Sequence, residues 1–214
     1  MSVVIALLVL RPLFAATQMF LGQYPPYISG TGEVETIAIN LAKIGLLIYL
    51  AWSANTPLST FGFVKPRPKD LLWFLMAFAS MAGVALVALA PQYFTSDPFP
   101  ANANSPYVDA PIGLSAIYFL SVAILRETLF RGYLIVRLLQ LDLPSTYAIT
   151  FSAILFGSLQ IYEGWLYVGI ACLQGLFLGS IFLSKRTIWP LIAAHALYSF
   201  LAILFVYNHF PRGL

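Results

Sequence analysis

Apolar runs of about twenty residues recur along this chain, separated by short segments rich in Pro, Gly, Asn or basic residues. A helical run of that length crosses the hydrocarbon core of a bilayer, about 30 Å at 1.5 Å per residue. The pattern predicts seven spans, at about 3–22, 34–53, 70–91, 112–138, 145–161, 165–183 and 188–208. In lipid, backbone N–H and C=O groups must be satisfied internally, which restricts spanning segments to helices or closed barrels. The expected fold is therefore an all-α integral membrane protein, a polytopic bundle forming one transmembrane domain over 1–214. Composition agrees: 60% of residues are hydrophobic, 9% are charged and the mean hydropathy is +0.86. A soluble domain carries about 25% charged residues.

The first apolar run has no Lys or Arg before it and is interrupted by Arg11-Pro12. It reads as a membrane span, kinked or started late at that pair, rather than as a signal peptide. Lys65, Arg67 and Lys69 fall in the loop 54–69, Arg137 at the end of the fourth span, and Lys185 and Arg186 in the loop 184–187. Alternation of the spans puts these on one face, with Glu33, Glu35, Asp97, Asp109 and Glu163 on the other. Because Lys and Arg are retained in the cytoplasm, the N-terminus and the loops 54–69, 139–144 and 184–187 are expected there. The proline-rich loop at 92–111 reads as a flexible connection, with contact to a partner as the alternative. Gly175 and Gly179 share a helix face in the sixth span, a spacing that lets a second helix approach closely. Internal packing is the expected use, and a dimer face the alternative.

Several chemistries are excluded. The lone Cys172 rules out an intrachain disulfide, and His195 and His209, the only histidines, do not make a multi-histidine metal site. No metal and no cofactor is expected. No basic block points to nucleic acid, and the aromatic residues are explained by interfacial belts and helix packing. What stands out is polarity within the spans, at 126–132 (RETLFRG), 156–165 (FGSLQIYEGW) and 193–200 (AAHALYSF). A charge at the centre of a membrane helix costs about 2.5–3.5 kcal/mol even on the lenient insertion scale, so such residues are paired or face a cavity. Glu127 and Arg131, four residues apart, share a helix face and can pair. Arg126 lies about 100° away around the helix. It reads as a side chain snorkelling toward the cytoplasmic interface, or alternatively as a cation gripping an acidic group on a lipid or partner.

The motifs RETLFRGY at 126–133, FGSLQ at 156–160 and HALYS at 195–199 resemble those of the CAAX-protease and bacteriocin-processing (CPBP, or Abi) family of intramembrane endopeptidases. That family shows Glu-Glu-x-x-x-Arg, then Phe-x-x-x-His, then His-x-x-x-Asn/Asp. The flanking stretches are also similar, so the resemblance covers about 58–208, in order. It implies a CPBP-like fold and a site in which the first glutamate of the pair activates water. The motif histidines and the Asn/Asp arrange water and oxyanion. Here Arg126 stands at the first glutamate, Gln160 at the second-motif histidine and Ser199 at the Asn/Asp. Only Glu127, Arg131 and His195 match. Arginine does not accept a proton at neutral pH, and a glutamine amide does not shuttle one.

The resemblance and the substitutions together imply a catalytically degenerate family member that binds another integral membrane protein as an assembly factor or complex subunit. The alternative is an active CAAX-type endopeptidase using Glu127 and His195, with Ser199 hydrogen-bonding the histidine, on a membrane protein substrate. A transporter or channel is disfavoured because no internal repeat is found and the polar residues gather at one site.

Overall fold

The computed structural model describes residues 31–94, 111–161 and 164–209. The predicted first span with Arg11-Pro12, most of the loops 23–33 and 92–111, and Glu163 lie outside the described residues. Every regular element among the described residues is helical. They are α1 (Thr31–Ser53), a 3₁₀ turn (Leu58–Phe61), α2 (Asp70–Phe94), α3 (Ile112–Glu127), a π-helical segment (Thr128–Ile135), α4 (Val136–Gln140), α5 (Ser145–Ser158), α6 (Trp165–Lys185) and α7 (Trp189–His209). α3, the π segment and α4 run on without a break as one apolar rod over Ile112–Gln140.

Four of these stretches are long and apolar enough to cross a bilayer: Val34–Ser53, Asp70–Ala88, Ile112–Gln140 and Trp165–Lys185. A shorter apolar stretch occupies Trp189–Ala202 within α7. The chain is thus a multi-pass integral membrane protein. The segment 145–161, expected as a span, forms a helix of only 14 residues. That is about 21 Å, short of the hydrocarbon thickness. Its end falls just before the glutamine of the second motif, which sits in the following turn.

Local sequence explains the boundaries. Pro111 and Pro144 precede the first residues of α3 and α5, and Pro190 occupies the first turn of α7, where a missing N–H costs nothing. Asp70 Oδ2 accepts from the Arg67 N–H at 2.9 Å at the entry to α2. α6 stops at Lys185, followed by Arg186 in the left-handed region at φ 53°.

The bundle is held by small residues and by a few buried polar contacts. α5 packs along α6, α7 lies against α2 and α3, and α1 lies against α3. On the α5–α6 seam, a Cβ on Gly175 would come within 2.9 Å of Ala153 Cα, and one on Gly179 within 3.0 Å of Ile149. One on Gly157 would overlap Cys172 Sγ. The Gly175/Gly179 face is therefore used internally. Asn40 Nδ2 donates to Ser121 Oγ (3.1 Å), joining α1 to α3, and Gln174 Nε2 donates to the Met81 carbonyl (3.0 Å), joining α6 to α2.

At one end, the segment after the 3₁₀ turn docks on the α6–α7 corner. The Ile188 N–H donates to Gly62 O at 3.0 Å, and Trp189 Nε1 donates to Val64 O at 2.9 Å. Gly62 has φ 89°, and a Cβ there would meet Phe182 at 2.7 Å. Arg137 stacks over Phe61 and Tyr133, and Lys185 Nζ lies 4.0 Å from the Trp73 ring. These contacts gather the basic loops at the same end of the bundle.

Gly175→Ala should lower stability by about 1–3 kcal/mol, as overpacking does, because the new methyl meets backbone. Gly169→Ala, on the same helix with nothing within 4 Å, should be neutral or stabilising. Thermal unfolding of the two variants in mild detergent separates these outcomes.

Candidate functional site

The site forms where the rod, α5 and α7 meet near mid-span. Arg126 and Glu127 close α3, at the middle of the 29-residue stretch Ile112–Gln140. From Thr128 the backbone widens into a π helix, a rare geometry enriched at functional positions. Two neighbours fit this segment closely. A Cβ on Gly132 would lie 2.9 Å from Phe61 O, so the absent side chain admits the 3₁₀ turn. From the other side, Ser152 Oγ of α5 donates to the Phe130 carbonyl at 3.0 Å.

Glu127 is fully buried, and both of its polar contacts converge on one oxygen. Arg131 Nη1 donates to Oε1 at 3.1 Å, and His195 Nδ1 of α7 stands 2.6 Å from the same atom. A carboxylate only accepts, so the Nδ1 proton of His195 is the one in that contact. Arg131 and His195 are themselves 1% and 2% exposed, which makes this a dry triad linking the rod to α7. Charge-assisted contacts of this kind are the stronger class of hydrogen bond. Glu127 Oε2 and Arg131 Nη2 have no hydrogen-bond partner among the described residues.

Phe156 of α5 is the hub of the site. The Arg131 guanidinium lies 4.4 Å above its ring centroid and that of Arg126 lies 5.9 Å from it. The His195 ring stands edge-on at 5.8 Å and Phe130 at 5.5 Å. The ring therefore touches both donors to Glu127 and the neighbouring cation. The sequence marks Phe156 only as the first letter of the second motif. Its signal was the four-residue offset from Gln160, whereas its packing against three other motif residues is visible only in three dimensions.

The remaining candidates take no part in the hydrogen bonds to Glu127. Gln160 lies beyond the end of α5, in the turn where its N–H donates to Gly157 O at 2.9 Å. Ser199 is half-buried one turn after His195 and makes no hydrogen bond to it among the described residues. Among the same residues no group of acidic, histidine or cysteine side chains is arranged to hold a metal. A shallow apolar groove, lined among others by Leu47, Phe61, Thr128 and Tyr133, opens between α1 and the π segment.

Chemically, the triad is suited to fixing helices. A carboxylate whose Oε1 carries two donors, in a region closed to solvent, has only Oε2 left to receive a further proton donor. Removing one partner strands the other charge, so Glu127→Ala should destabilise the protein by about 3–5 kcal/mol. The double replacement Glu127→Leu with Arg131→Leu should cost clearly less, since no buried charge of the pair is then left alone. Unfolding of the single and double variants, compared as a double-mutant cycle, measures the difference.

Residues 109–201, a segment containing the whole triad and Phe156, match the family model described as type II CAAX prenyl endopeptidase, Rce1-like. No curated protein and no solved structure matches the chain. With its three motifs in order along that matched segment, on a helical membrane bundle, the chain is similar to the CAAX-protease and bacteriocin-processing family.

Proposed function

We propose that this chain is a catalytically degenerate member of the family, which binds another integral membrane protein as an assembly factor or complex subunit. One observation carries the reading. The position of the family's water-activating glutamate is Arg126, and the one carboxylate of the site, Glu127, is fully buried with Oε1 shared between Arg131 and His195. A general base must reach its water at about 2.6–3.2 Å. Arginine cannot take that proton, and Glu127 is committed to bracing the rod against α7. Gln160 supplies no titratable group in place of the second-motif histidine. What is kept is the helical framework and the pairing at its centre. In this reading the loops 54–69, 139–144 and 184–187 face the cytoplasm, supported by Lys65, Arg67, Lys69, Lys185 and Arg186 in two of them, by Arg137 just before the third, and by the gathering of these residues at one end of the bundle.

A second reading rests on the 2.6 Å contact between Glu127 and His195 and on the unpartnered Oε2. Carboxylate–imidazole pairs activate water in many hydrolases, and an opening of α7 from the rod would wet this one. The substrate would then be a lipidated or membrane-spanning polypeptide.

Incubation of the purified chain in lipid nanodiscs with a prenylated CAAX peptide and with a transmembrane peptide decides between the two. The expected cleavage equals that of the Glu127→Gln/His195→Ala double variant, at background. Turnover by the unaltered chain that both single variants, Glu127→Gln and His195→Ala, abolish would replace the first reading by the second.

A further inference from the structure

Arg126 is the one charge of the central cluster that the described residues leave without a counter-ion. It approaches the Phe156 ring at 5.9 Å and lies within electrostatic range of Glu127, but it makes no hydrogen bond or ion pair among the described residues. The two guanidinium groups and one carboxylate of the cluster sum to one positive charge, before any contribution from His195. The side chain is half-buried, so part of it reaches the surface of the described bundle.

Depth constrains what neutralises it. Arg126 is 11 residues from Arg137, at the basic end of the rod, a separation of about 16 Å at helical rise. That places it about half a hydrocarbon thickness into the bilayer. Snorkelling serves residues near helix ends, whereas this guanidinium turns toward Phe156. Phospholipid phosphates lie at the interface, a similar distance away. Within the chain, the eight acidic residues are Glu33, Glu35, Asp70, Asp97, Asp109, Glu127, Asp142 and Glu163. Among the described residues, Glu33, Glu35, Asp70 and Asp142 lie near helix ends and Glu127 is already shared by Arg131 and His195, while Asp97, Asp109 and Glu163 lie outside the described residues.

Resting on the binding role proposed above, we infer that Arg126 is a clasp for a carboxylate carried at mid-membrane depth by a transmembrane segment of the partner protein. The planar guanidinium matches a carboxylate in a two-pronged geometry, and exclusion of water strengthens the pair. The substitution at the base position then has a positive use. It converts the place where the family holds a proton acceptor into one that holds an anion.

The full-length chain, purified from native membranes in mild detergent as wild type, Arg126→Lys and Arg126→Gln, tests this by mass spectrometry of bound proteins and lipids. The expected result is a membrane protein in fixed ratio with a mid-span Asp or Glu. Its recovery should fall at least tenfold with Arg126→Gln and less with Arg126→Lys, which keeps the charge but loses the two-pronged geometry. Pairing Arg126→Glu with replacement of that partner carboxylate by Lys should restore it. A stoichiometric partner indifferent to Arg126→Gln would end the clasp while leaving the binding role standing. An acidic phospholipid released by Arg126→Gln, with no protein bound, would assign the cation to a lipid phosphate and overturn the inference. So would an equal loss with Glu163→Gln, which would make the counter-ion internal. Absence of any bound protein, together with peptide cleavage that needs Glu127 and His195, would remove both the role and the clasp. Melting of the chain freed of partners supplies a check on folding, with Arg126→Gln expected at or above wild type. A clear drop would show that Arg126 braces the fold, and would overturn the clasp.

Discussion

One carboxylate oxygen at the centre of the membrane rod sets the arrangement of the helices around it. Glu127 Oε1 accepts from Arg131 one turn along the same rod and from His195 on α7. In a medium without water each of these groups alone would be expensive, and together they neutralise one another. The demand is directional. The Arg131 contact constrains the backbone of the π segment, and the His195 contact fixes the rotation of α7 against the rod. An apolar helix in lipid has no comparable preference for one rotation, because lipid tails are as apolar as its neighbours. Polar pairing therefore specifies the packing that hydrophobicity leaves free.

Phe156 extends that constraint to α5, a helix too short to cross the bilayer by itself. Its ring lies under the Arg131 guanidinium and against the edge of His195, so α5 is held by the same charges that join the rod to α7. Close approach along the neighbouring face of α5 comes from Gly175 and Gly179 of α6 and from Gly157 of α5 itself. Cation–π contact and small-residue packing thus act on adjacent faces of one short helix. Ser152 adds a hydrogen bond to the Phe130 carbonyl, where the π backbone departs from ordinary helix pairing.

The long helices were legible in the sequence because each is a run of about twenty apolar residues ending at Pro, Gly or a basic loop. The stretches 34–53, 112–138 and 165–183 recur in the structure within a few residues. Four features were not legible. The π segment changes the angle per residue over Thr128–Ile135, so a wheel drawn at 100° drifts along it, although the four-residue pairing of Glu127 with Arg131 is kept. The length of α5 was overread because the apolar residues continue past Ser158 into the turn, and hydropathy does not register where a helix stops. The contact of Glu127 with His195 joins residues 68 positions apart. Motif order implied a common site, but spacing along separate helices could not say which oxygen meets which nitrogen. Motif identity also gave Phe156 no role, since an apolar residue in an apolar span carries no signal of its own.

On the proposed reading the site also separates two tasks, proton acceptance at position 126 and bracing by Glu127 and Arg131. Adjacent positions on a helix point about 100° apart, so a change at 126 need not disturb the face carrying Glu127 and Arg131. A proton acceptor can therefore be lost while the brace at 127 and 131 remains, and the fold persists without the chemistry. The reverse loss is harder. Replacing Glu127 strands a buried guanidinium and frees α7 from the rod, at a cost comparable to much of a domain's stability. On the proposed reading this asymmetry directs how such a membrane protein drifts. The base position is free to acquire new chemistry, including a charge that only a partner can satisfy, while the adjacent glutamate stays fixed by packing.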